Sequence, residues 1–62
     1  MKNKIKQFRK KSGLTQKELA DFLGVNQSTI SLYERGVRAP SLRIGILISK
    51  LLGADVKDIF LP

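Results

Sequence analysis

The sequence predicts an all-α fold, a compact five-helix bundle, and three observations carry that prediction. Glycine and proline divide the chain into intervals whose apolar residues recur at helical spacing, no interval alternates as a half-buried strand does, and most intervals open on a residue able to cap a helix. At 62 residues the chain has room for one small domain, residues 1–62. It contains no Cys and no His, so disulfides and the commonest metal ligand and general base are missing, and stability must come from packed apolar side chains. Hydrophobic residues make up 42% of the chain against 27% charged, a globular balance rather than a disordered one.

The first helix is expected over about residues 2–12, where Ile5 and Phe8 lie three apart among basic residues and Gly13 supplies the stop. Next, Thr15 can cap the amide of Glu18 while the Glu18 carboxylate reaches back to the Thr15 amide, with Leu14 able to staple onto Leu19 outside this box. A helix therefore begins at Thr15, turns Leu19, Ala20 and Leu23 inward and ends at Gly24. Asn26 is the next expected cap, with Val25 before it and Ile30 after it repeating the staple. Gly36 closes this third helix. Ser41 opens a fourth over Leu42 to Leu52, ended by Gly53, and residues 55–60 form a last short helix capped by Asp55 before Pro62.

A helix with a capping box, a glycine turn and a second short helix, with small Ala20 at their crossing, is a helix-turn-helix. Leu14-Thr15-Gln16-Lys17-Glu18-Leu19-Ala20, Leu23-Gly24-Val25, Thr29-Ile30-Ser31, Tyr33-Glu34-Arg35-Gly36 and Pro40-Ser41-Leu42 resemble the Cro and phage-repressor class, also called Xre-like. The likeness runs from Ile5 to Phe60 and implies a lambda-repressor-like DNA-binding domain.

In that class the first helix of the pair crosses the DNA backbone and the second enters the major groove. The resemblance therefore makes Asn26, Gln27, Ser28 and Leu32 the base-reading candidates. Gln27 is the sharpest, because its amide both donates and accepts and can bond adenine N6 and N7 together, while Leu32 can meet a thymine methyl or pack at the core edge. Gln16, at a helix N-terminus, is implied as a backbone anchor, and Lys17, Arg35, Arg38 and Arg43 are further phosphate candidates. Arg9 and Glu34 each interrupt an apolar face, and the resemblance makes them a structural ion pair.

The Leu42 to Leu52 helix is apolar nearly all round, which asks for cover on two sides. The resemblance assigns Leu42, Gly45, Ile46, Ser49 and Leu52 to the core, leaving Ile44, Leu47, Ile48 and Leu51, extended by Phe60, Leu61 and Pro62, as a homodimer interface. A two-fold pair would set two recognition helices about 34 Å apart on a palindromic site.

Charge agrees with a nucleic-acid partner. The net charge is +7, with Lys2, Lys4, Lys6, Arg9, Lys10, Lys11 and Lys17 all preceding the first acid, Glu18, and the five remaining bases balancing five acids. The longest apolar run, at Ile44 to Ile48, is too short for a membrane span, and the first helix has too few large apolar residues for an interfacial anchor, so a cytoplasmic location is expected. Without His no nucleophile has a candidate base, and no glycine-rich phosphate loop precedes a helix, so neither an enzyme nor a cofactor or small-molecule substrate is expected. The alternative reading is an antitoxin or adaptor that uses the same fold to bind protein.

Overall fold

Each helix of the computed structural model, which describes residues 2–61, contributes one fully enclosed aliphatic side chain to a shared centre. These are Ile5 from α1 (Ile5–Lys11), Leu19 from α2 (Gln16–Leu23), Ile30 from α3 (Gln27–Glu34), Ile48 from α4 (Leu42–Leu52) and Ile59 from α5 (Val56–Phe60). Ala20, Leu23, Tyr33 and Leu52 complete the buried hydrophobic set. The most extensive pairing is between α2 and α3, while α1 lies against α3, α4 and α5, and α4 also meets α2 and α5. Among the described residues there are five helices and no strand, in a body of 24 × 22 × 19 Å, and no helix is long and apolar enough to cross a membrane.

Local signals explain most boundaries. The Thr15 hydroxyl accepts the Glu18 amide at 3.0 Å and the Glu18 carboxylate accepts the Thr15 amide at 2.9 Å, a complete capping box. The turn into α3 requires Gly24, whose φ of 70° lets its amide and that of Val25 bond back to the end of α2. Ser41 caps α4 by accepting the Ile44 amide at 3.2 Å. Asn26 and Asp55 have the extended backbone of cap residues, yet neither side chain accepts a helix amide.

Helix α1 begins at Ile5, later than the expected residue 2. Asn3 intercepts the chain: its Oδ1 accepts the Ile5 amide at 3.0 Å while its Nδ2 donates to the Tyr33 carbonyl at 2.7 Å, and the Lys4 amide donates to the Ile59 carbonyl at 2.7 Å. Residues 3 and 4 thus tie α1 to the ends of α3 and α5 instead of extending the helix.

Helix α4 corrects the expected division of its faces. Its buried stripe is Gly45, Ile48, Ser49 and Leu52, so Ile48 lies wholly inside the single chain and cannot belong to a dimer contact. Ile44 and Phe60 are half-buried against the same core. Leu42 and Ile46, expected inside, are 77% and 40% exposed. With half-buried Ile44 counted in the stripe, at 100° per residue the true core direction is roughly 60° from the expected one and opposite Arg43 and Lys50. The polar gap orients the helix because burying either charge unpaired would be costly. Leu47, Leu51 and Leu61 remain exposed, and Pro62 lies outside the described residues.

Candidate nucleic-acid interface

The close packing of α2 on α3 turns one face of α3 to solvent. Ile30 and Tyr33 anchor its inner side, and Ala20, with no bulk beyond Cβ, sits buried on the partner helix. Asn26, Gln27 and Ser28 are exposed at the N-terminal end, and Leu32 is half-buried further along. Because the Asn26 side chain accepts no amide of its own helix, it does not fold back over the N-terminus as a cap would. Ser31, which sequence reasoning passed over, is half-buried between Gln27, Ser28 and Leu32 on the same face; its spacing of four from Gln27 was the available signal.

Basic side chains follow directly. Arg35 caps the C-terminus of α3, and Arg38 stands in the next loop, both exposed, with the loop held to α3 by the Val37 and Arg38 amides donating to the Leu32 carbonyl at 3.0 and 3.3 Å. Arg43 is exposed in the first turn of α4. Lys17 is exposed but pairs with Asp21 at 3.2 Å, one turn along α2.

The polar centre of this region is the carboxylate of Glu34. Arg9 Nε donates to its Oε2 at 2.6 Å and Nη2 to its Oε1 at 3.3 Å, with the two side chains only 8% and 4% exposed. Arg9 Nη1 donates to the Leu14 carbonyl at 2.7 Å, and Gln16 Nε2 donates to Glu34 Oε1 at 3.0 Å. One guanidinium on α1 therefore joins the segment leading into α2 and the last residue of α3, in the bidentate geometry that suits Arg and not Lys. The family resemblance paired Arg9 with Glu34 but did not give the Gln16 bond, and nothing in spacing alone brings residues 16 and 34 together.

Just beyond Arg38 in the chain, Ala39, Pro40, Leu42, Gly45, Ile46, Val56 and Phe60 line an apolar groove of about 200 Å³. Among the described residues no group of three His, Cys, Asp or Glu side chains is placed to hold a metal ion.

Known proteins share this pattern. The family described as helix-turn-helix, of Cro/C1 type, matches residues 5–59. An uncharacterized HTH-type transcriptional regulator of Methanocaldococcus jannaschii is 44% identical over 61 residues, 98% of this chain and 92% of the relative. A transcriptional repressor of a cryptic phage in Vibrio cholerae is 30% identical over 57 residues, 92% of this chain but 51% of the repressor. A crystal structure from Bacteroides fragilis, of a protein proposed to bind DNA, superposes with a TM-score of 0.86 at 28% identity, covering 94% of each chain.

Proposed function

Because the chain belongs to the helix-turn-helix family of DNA-binding transcriptional regulators, we propose that it is a sequence-specific repressor that binds a palindromic operator as a homodimer in the cytoplasm. The observation that carries this reading is the outward N-terminal face of α3, where Asn26, Gln27 and Ser28 stand exposed with arginines beyond the other end of the helix. Inserted into the major groove, Gln27 reads adenine through a bidentate amide contact, Asn26 and Ser28 supply further polar contacts, and Leu32 meets a thymine methyl. Arg35, Arg38 and Arg43 neutralise phosphates; Gln16 adds a neutral contact at the start of α2, and Lys17 reaches the backbone on releasing Asp21. Binding there would exclude other proteins from the same groove, which is the simplest way for a single small domain to repress.

Exposed apolar side chains on α4 and α5 support the dimer. Leu42, Ile46 and Val56 surround the apolar groove at 77%, 40% and 41% exposure, and Phe60 forms part of its wall. The loop from α3 leads straight into this groove, and a second copy seated there across a two-fold axis would supply a second recognition helix. Leu47 and Leu51 lie on the other flank of α4, and with Leu61 they extend the surface a partner chain can cover.

Selection from a random duplex pool at fixed salt tests the function. A palindrome whose half-sites lie about 10 base pairs apart is expected. No enriched sequence would favour a protein-binding module on the same fold. Leu42→Lys with Ile46→Lys should shift the sedimenting species to monomer mass while helical content is retained; an unchanged dimer would move the contact to the Leu47 and Leu51 flank.

A further inference from the structure

The Glu34 carboxylate is buried between three helices, yet only one of its partners, Arg9, is needed to neutralise it. Its other partner, Gln16, is the half-buried first residue of α2. We propose that Glu34 is a positioning residue for DNA binding, holding Gln16 so that its second amide N–H is turned to the phosphate backbone. The proposal rests on the reading of Gln16 as a phosphate contact.

Three physical points support it. An ionised carboxylate only accepts hydrogen bonds, so it selects which edge of the Gln16 amide faces inward: Nε2, at 3.0 Å from Oε1. A primary amide has two N–H groups, and fixing one leaves the other as a donor in a set direction. The Gln16 side chain also has three rotatable bonds, and holding them before DNA arrives removes ordering that binding would otherwise require. Finally, a bare carboxylate beside a phosphate would repel it. Arg9 cancels that charge, and by donating to the Leu14 carbonyl at 2.7 Å it also holds the backbone just ahead of α2. The buried pair thus acts as a neutral bracket whose outer end is the Gln16 amide.

Affinity for operator and random duplexes, measured against salt, tests this bracket. Gln16→Ala should weaken both about 10- to 100-fold, the range for one hydrogen bond to a charged acceptor, with the salt slope unchanged because no protein charge is removed. Arg9→Met with Glu34→Leu keeps the net charge and replaces a buried pair by apolar side chains, a change that folds tend to tolerate. It should weaken binding by the same factor as Gln16→Ala, and adding Gln16→Ala to it should produce no further loss. If the pair variant binds as the natural chain does, or if the two losses multiply, Glu34 does not position Gln16 and the pair is structural only. If Gln16→Ala alone changes nothing, the phosphate reading of Gln16 fails and this proposal fails with it. A second measurement needs no variant: in the free protein the Gln16 side-chain amide should be ordered, with an NMR order parameter above about 0.6, whereas exposed Gln7 falls below that value. Equal mobility of the two amides would overturn the bracket independently of any effect on folding.

Discussion

Two regions of this molecule are joined in different ways. Around Arg9 and Glu34, helices α1, α2 and α3 meet through hydrogen bonds with fixed directions, each oxygen of the carboxylate engaged. Around Ile48 and Ile59, α4 and α5 join the bundle mainly through apolar side chains, with one backbone bond from the Lys4 amide to the Ile59 carbonyl, and the buried Ser49 hydroxyl bonds the Gly45 carbonyl of its own helix at 3.0 Å. Directional bonds specify the crossing of the α2 and α3 pair, whose outward face carries the proposed base readers. Apolar contact specifies volume more than direction, and α4 carries exposed apolar side chains on both flanks of its buried stripe.

Removing one member from each region should expose this difference. Glu34→Ala leaves the Arg9 guanidinium buried without a counter-charge and should destabilise by about 3 to 5 kcal/mol in denaturant unfolding. Ile48→Ala leaves a cavity and should cost about 2 to 5 kcal/mol, a similar loss by another route. Replacing both partners tells them apart: Arg9→Met with Glu34→Leu should recover most of the stability, whereas no second change near Ile48 restores it short of refilling the space. A double variant as unstable as Glu34→Ala would show that the polar bonds themselves hold α1 to α3.

Smaller effects sharpen the contrast. Neutralising Arg35 or Arg38 should leave stability alone and reduce the slope of log affinity against log salt by roughly one for each phosphate that the variant no longer neutralises. Gly45→Ala should stabilise by about 0.5 to 1 kcal/mol, because the new methyl would stand 3.6 Å from the Phe60 ring, an ordinary contact, while helix propensity improves. A loss instead would mean that Phe60 cannot yield. Asp21→Asn, which breaks the exposed pair with Lys17, should change stability by less than about 0.5 kcal/mol, against the large effect at the buried pair.

The same difference explains what could be seen in the sequence. Helices α2 and α3 were legible because their signals are local: Thr15 and Glu18 sit three apart, and Gly24 stands where a left-handed residue is needed. The resemblance added the partners Arg9 and Glu34. The outer limits of α4 were equally plain from Ser41 and Gly53, but its rotation was not, since apolar residues on nearly every side give periodicity little to choose between. Arg43 and Lys50 held the answer, as the core lies opposite them. The bonds of Asn3 and Gln16 were invisible for another reason: their partners, Tyr33 and Glu34, stand 30 and 18 positions away, and only the folded chain brings them near.

The reading face of α3 is the claim on which the functional account depends, and Gln27 tests it most directly. Gln27→Ala should be compared with the natural chain on the best selected operator and on random duplex at one salt concentration. The account predicts a loss of about 1 to 3 kcal/mol on the operator, relaxed preference at one base pair of each half-site, and little change on random DNA. An equal loss on both duplexes, or none on either, would contradict it and remove Gln27 from base reading.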